Sequence, residues 1–286
     1  TIAIASFIII LAVAVSSGFR MELRNGIASI SGDIRLTSPD LNYINETAPI
    51  RSDAAYMPSL DSLDGIKSIV PAVYRAGIVK SGANIHGVLF KGIPGMGDSL
   101  SVSIPRKLSN ILCLKPGDGI LSYFVGEKVK ARKFHVESIY EDVAGNSGNI
   151  VVYTGIHDLQ KLNGWNEDEV SAIEIILEDR FRSQDMIREM TQEVGARVLF
   201  NTPEDEDTVV ASSALNMYPE IFSWLDLIDF NVLFVLILMT VVAGFNMISS
   251  LLIMLFRNIS MIGILKSMGM RDRSIASVFL RAASSV

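Results

Sequence analysis

The sequence predicts an α+β membrane protein: transmembrane helices joined to a large extracytoplasmic α/β domain. Three observations predict it. Residues Ile2 to Val15 and Phe230 to Phe256 carry no charge, and the second run is 27 residues long, where roughly 20 apolar residues let a helix cross a bilayer. Between them lie about 200 residues in which alternation, helical spacing and turn signals succeed one another, enough for a hydrophobic core. Finally, 49% hydrophobic residues and a mean hydropathy of +0.38 coexist with 20% charged residues. That balance is too apolar for an ordinary soluble globule and too charged for a wholly membranous chain, so the apolar residues must be segregated.

Taken in order, residues 1–18 read as a first transmembrane helix. The chain opens at Thr1 without a basic n-region or a small-residue cleavage site, so a complete signal peptide is not expected and the helix is read as truncated at its start. Residues 19–229 form the extracytoplasmic domain. Within it Asp33 to Thr37 reads as a strand, Pro58 to Gly65 as a short helix with Ser59 or Asp61 near its cap, and Ile66 to Val79 and Ile85 to Gly92 as β-rich segments. A second strand–helix–strand unit follows: Val170 to Leu177, with Ile173, Ile175 and Leu177 alternating, then a helix from Phe181 to Val194, then a strand from Ala196 to Phe200. The two units, 28–93 and 168–202, are expected to share one sheet. Residues 94–167 are dense in turn signals and read as a β-rich insert closed by a helix from Ile156 to Leu162 that ends near Gly164. Residues 230–256 are the second transmembrane helix, expected to pack beside residues 2–18. Residues 257–273 form a loop with a short helix, and 274–286 start a third span.

Charge sets the orientation. Arg257, Lys266, Arg271 and Arg273 face only Asp272 after the second span, while Glu220, Asp226 and Asp229 precede it. Positive charge stays in the cytoplasm, which places 257–273 there and 19–229 outside; Arg20 and Arg24 pull weakly the other way. Setting aside those four bases, Asp272 and Arg281, the remaining chain carries 20 basic against 30 acidic residues. That balance excludes nucleic acid as a partner. A single cysteine, Cys113, excludes an intrachain disulfide.

Catalytic patterns are missing from the sequence. It has no G-x-x-x-x-G-K-[ST] phosphate loop, no H-E-x-x-H and no paired cysteines, and His86, His135 and His157 each stand alone. Isolated histidines of this kind serve surface or packing roles more often than metal binding. The run Glu204 to Asp207 fits a solvated linker better than a cation site, and Gly95-Met96-Gly97 has no helix directly behind it to hold a phosphate. No catalytic or metal-binding residue is assigned, and the chain is not read as an enzyme. The informative segment is 257–269, where Ile259, Met261, Ile262, Ile264, Leu265 and Met268 make an apolar surface on a short helix that Gly269 would end. Such a surface suits a helix lying on lipid headgroups or one docked in a partner's groove, and pattern alone leaves both open.

Several stretches resemble the permeases of the FtsX, MacB and lipoprotein-releasing (LolC/LolE-type) transporter superfamily. They are Ser17 to Arg24 (SGFRMELR), Phe90 to Pro94 (FKGIP), Leu114 to Asp118 (LKPGD), Val242 to Ser250 (VAGFNMISS), Ile262 to Gly269 (IGILKSMG) and Arg273 to Phe279 (RSIASVF). The similarity is greatest to the lipoprotein-releasing permeases. It implies four spans, a periplasmic domain with a porter-like lobe and an inserted sabre-like lobe, and a bacterial inner-membrane location. It implies no cofactor on this chain, since ATP and Mg belong to a partner ABC ATPase dimer in the cytoplasm. A second permease subunit, lipoprotein cargo and a periplasmic carrier are the other partners it implies. By the same resemblance Ile259, Met261, Ile262, Ile264, Leu265, Met268 and Gly269 dock the ATPase. Val232, Phe234, Val235, Leu238, Met239 and Val242 are the candidates to face acyl chains, which gain about 0.8 kcal/mol per buried CH₂. Two features depart from the family pattern. Asn258 and Ser260 stand where an acidic residue is common, and residues 123–134, where one such permease has a Pro-rich hook for its carrier, contain no proline. The chain then fits the partner permease without the hook, or a system that hands over cargo differently. The alternatives are an FtsX-like transmitter acting on an extracytoplasmic partner, a MacB-like efflux permease, and a membrane-tethered enzyme or sensor, which would need a convergent polar pocket outside.

Overall fold

A computed structural model describes residues 2–40, 48–82, 84–97, 99–126, 128–141, 150–203, 206, 208–271, 273–275 and 277. The chain divides into two compact units, one of residues 19–223 and one of residues 1–18 with 224–286. In chain order the elements begin with α1 (Ile2–Ser31), β1 (Ile34–Thr37), β2 (Ile50–Arg51), α2 (Met57–Asp61), β3 (Ile66–Ser81), β4 (Asn84–Ile93), β5 (Ser101–Pro105) and α3 (Arg106–Leu112). There follow β6 (Gly119–Phe124), β7 (Lys130–Tyr140), β8 (Val151–Gly155), α4 (Ile156–Asn163), β9 (Glu169–Val170), β10 (Ala172–Leu177), α5 (Gln184–Asn201), β11 (Val210–Ser213), α6 (Ala214–Met217), α7 (Pro219–Arg257) and α8 (Ile259–Ser267).

In the 19–223 unit nine strands form one sheet in the order β11-β1-β10-β3-β4-β8-β5-β7-β6, and an extra pairing joins β6 back to β3. Strands β3, β4, β8, β5, β7 and β6 therefore close on themselves as a small barrel. The 16-residue β3 makes this possible. Its first part pairs with β10, Ile69 opposite Ile175 and Ala72 opposite Ala172, while its second part pairs with β4 from Val73–Gly92 to Ser81–Asn84 and with β6 at Ile78–Tyr123. The barrel is filled by side chains, as its small strand number requires. Phe90, Phe124 and Phe134 meet inside it with ring centroids 4.9, 5.3 and 6.3 Å apart. Gly77 leaves them room, since a Cβ there would lie 3.0 Å from the Phe124 and Phe90 rings.

The other half of the sheet carries the expected partnership: β1 and β10 pair with Ile34 opposite Ile175, and β10 continues into β3. β4, grouped by sequence with the first lobe, pairs with β3 on one side and with β8 of the expected insert on the other, so the sheet runs on from one into the other. A second expectation also gives way. Residues 196–200 are not a strand but the last turns of α5, because Ile187, Met190, Val194 and Val198 keep the helical spacing and are all buried. The second strand of that unit is β11, which pairs with β1. The short helix α2 begins after Tyr56 with no side-chain cap, so neither Ser59 nor Asp61 caps it. α4 ends on Gly164 at φ 77° as its sequence suggests.

α1 does not stop at residue 18. It runs to Ser31, and Ile27 and Ala28 are buried in the 19–223 unit. α7 starts at Pro219, before the uncharged run, and continues unbroken for 39 residues. Among the described residues it is the one helix long and apolar enough to cross a membrane, and none of its apolar window is buried within the chain. Described side chains of residues 7–18 are likewise exposed or half-exposed, so burial gives no sign of the expected packing of residues 2–18 beside α7. The expected third span falls largely outside the described residues.

Candidate functional site

α8 follows α7 after a one-residue break at Asn258, whose side-chain amide donates back to the Met254 carbonyl at 2.9 Å and leaves no cap for the new helix. At its other end the Gly269 amide donates to the Lys266 carbonyl and the Met270 amide to the Leu265 carbonyl, both at 3.1 Å. This pair of bonds needs a left-handed residue, and Gly269 sits at φ 85°. On the helix Ile259, Met261, Ile264 and Met268 are exposed, Met268 to 78%, while Ile262 and Leu265 are half-buried. No described side chain from Asp226 to Arg271 is buried. Of the α7 residues, Val232, Val235, Met239 and Val242 recur at three- and four-residue spacing on one face, with Phe234 and Leu238 beside them. Phe234, Val235, Leu238 and Val242 are exposed and Val232 and Met239 half-exposed. They form an apolar stripe.

The 19–223 unit holds a polar constellation that sequence reasoning missed. Lys91 on β4 and Glu174 on β10 pair at 2.7 Å with side chains 2% and 4% exposed. The Lys91 ammonium also donates to the Ile30 carbonyl at 2.7 Å. The Tyr74 hydroxyl donates its single proton in a short hydrogen bond to Glu174, and its oxygen lies 3.0 Å from the same carbonyl, which shares that proton. Arg35 lies over the Tyr74 ring, 5.3 Å from its centroid. Ile30 is in the last turn of α1, whose terminal carbonyls have no partner within the helix and carry the negative end of its dipole. Burial pulls the Lys91 ammonium below the ordinary lysine value although Glu174 opposes this. Burial, then Glu174, pushes the Tyr74 hydroxyl well above the ordinary tyrosine value. Withdrawing two charges from water costs several kcal/mol per ion, so the pair persists only because each member is saturated with partners. Its sequence signal was a charge inside two otherwise apolar strands, in Leu89-Phe90-Lys91 and Ile173-Glu174-Ile175.

A second attachment lies nearby. Arg182 donates to Asp33 at 3.1 Å and to Asn25 at 2.8 Å, and Arg24 donates to the Arg182 carbonyl at 3.3 Å. Asp33 also accepts from the Leu177 amide at 2.8 Å. Burial raises the Asp33 carboxyl above its usual value, with the Leu177 amide and Arg182 pulling it down.

A cleft of about 580 Å³ lies among Met96, Ser99, His157, Lys161 and Trp165. Along it His157 meets Gln160 at 3.0 Å, and Asp158 accepts from Ser99 and from the Leu100 amide. Among the described residues no group of three His, Cys, Asp or Glu is placed to hold a metal. Within the 123–134 stretch the described residues of β6 and β7 pair antiparallel, Phe124 opposite Lys130, and Val125 and Val129 are exposed.

The architecture is thus an α/β unit with a closed barrel, together with helices of which, among the described residues, one is long and apolar enough to cross a membrane. No family model matches the sequence, and no curated protein matches it. Among solved structures it is similar to the extracellular domain of the noncanonic ABC-type transporter YknZ from Gram-positive bacteria, at 14% identity and a TM-score of 0.39, covering 63% of this chain and 99% of that one. It is also similar to the periplasmic region of MacB from Actinobacillus actinomycetemcomitans, at 12% identity and a TM-score of 0.40, covering 66% of this chain and 91% of that one. A domain of a protein described as a permease from Porphyromonas gingivalis matches at 12% identity and a TM-score of 0.35, covering 63% and 86%.

Proposed function

We propose that the chain is a permease subunit of an ABC transporter in a bacterial inner membrane, with the 19–223 unit in the periplasm. ATP is hydrolysed by a separate cytoplasmic ATPase dimer that docks on α8, and a second permease subunit completes the assembly. Its cargo is lipoprotein, whose acyl chains meet the Val232 to Val242 stripe of α7. The observation that carries this reading is α8 itself: a nine-residue apolar helix, uncovered within the chain, set in a basic segment directly after 27 uncharged residues. A helix too short to span and too apolar to face water fits a partner's groove, and the lipid surface is the other place that would cover it. The sequence resemblance to lipoprotein-releasing permeases supports the same reading.

Leu265→Asp in the full-length protein tests it. A carboxylate forced into an apolar groove costs a few kcal/mol of docking, so co-purification of the ATPase and ATP turnover in membranes should both fall sharply. Unchanged association and turnover would return α8 to the lipid surface and remove the support. Lipid analysis of the purified complex then separates the cargo classes: bound lipoprotein supports extraction, whereas its absence points to signal transmission or to efflux.

A further inference from the structure

We propose that Lys91, Glu174 and Tyr74 act as a buried clasp that makes the last turns of α1 and the sheet move as one body. The proposal rests on the transporter reading only for its purpose, which is to carry movement of α1 into the periplasmic unit. Its geometry stands on its own. Ile30 offers a helix-terminal carbonyl that has no partner in α1; Lys91 from β4 donates to it at 2.7 Å, and the Tyr74 hydroxyl from β3, 3.0 Å away, shares with it the one proton that it gives to Glu174. Both donors are held in turn by Glu174 on β10, across two neighbouring strand pairs. One carboxylate thus fixes the direction of both groups that grip the helix. Apolar side chains would fill the same volume without the cost of burying charge, but they would let the helix end rotate and slide, because packing is not directional. The Arg182 contacts to Asp33 and Asn25 hold the preceding turn to the far end of β10. Lys91 also lies in the FKGIP stretch, to which the proposed docking and cargo surfaces assign no task.

The test uses the full-length protein in lipid nanodiscs with Cys113→Ser and spin labels at Glu22→Cys on α1 and Lys67→Cys on β3, both exposed and both in the 19–223 unit. The parent should give one narrow distance distribution. Lys91→Met with Glu174→Leu removes both charges and keeps the site apolar, so the unfolding midpoint should stay near that of the parent while the distribution about doubles in width. A merely structural pair predicts a midpoint and a width that are both unchanged, and that result overturns the clasp. Should this variant fail to fold, Lys91→Gln with Glu174→Gln, neutral and one atom shorter at position 91, is read by the same two criteria. No ATPase is present, so the result is independent of docking at α8: a null result at Leu265 leaves the clasp standing, and a narrow distribution here leaves the docking reading standing. With the ATPase added and trapped with vanadate, the label pair should hold its distance in the parent and shift in the double variant.

Discussion

Gly65 sits at φ 95°, and a Cβ there would lie 2.7 to 2.9 Å from the Phe181 ring. Gly65→Ala should therefore cost about 1–3 kcal/mol in unfolding free energy, even if the ring swings aside, because the backbone strain remains. Asp33 makes a different prediction. Its carboxyl is raised by burial above the ordinary 3.8, so between that value and the raised one the folded state holds a proton that the unfolded state has lost. Stability from this site is therefore gained as pH falls through the window and forfeited as pH rises. Compared with Asp33→Asn, the parent should gain ground as pH is lowered from neutral towards about 4, measured as the difference of the two unfolding midpoints. A difference that does not vary with pH would mean that Asp33 has the same affinity for its proton in both states.

At the scale of elements, α5 shows what periodicity reveals and where it misleads. Ser183 accepts from the Met186 amide at 3.3 Å and caps the helix, so Ser183→Ala should lower stability by about 1 kcal/mol in chemical unfolding. Its start was placed within three residues from sequence, where the period of Met186, Ile187 and Met190 is helical. Its end was not, because Val198, Leu199 and Phe200 are β-prone and the turn signals come only after Asn201. The strands were legible for the converse reason: alternation at Ile173, Ile175 and Leu177 is a local property that survives whatever the strand pairs with. The candidate docking helix was legible too, because Gly269 both ends the apolar run and supplies the left-handed turn.

For the molecule as a whole, the proposed orientation has a direct chemical test. Cys113 is exposed in the 19–223 unit, and it is the single cysteine of the chain. A membrane-impermeant maleimide should label it in intact spheroplasts. Met268→Cys in a Cys113→Ser background should react only after lysis, since Met268 is exposed in the segment assigned to the cytoplasm. The reverse pattern would invert the topology and take the docking face of α8 away from any cytoplasmic ATPase.

The sequence by itself determined where the long apolar helix α7 lies, where α8 ends and that segments such as β1, β3, β4 and β10 are strands. Each follows from residues within a few turns of one another: an uncharged run, a glycine, an alternation. Only the tertiary structure decided which strands are neighbours. The closure of the barrel by β6 on β3, and the pairing of Lys91 with Glu174 across 83 residues of chain, depend on register between distant segments. No local pattern encodes that register, because a charge in an apolar strand is an anomaly until its partner is known. The same physics divides the readings of function: α8 declares itself through an apolar surface written in nine consecutive residues, while the clasp on α1 exists only once four separate elements have folded together.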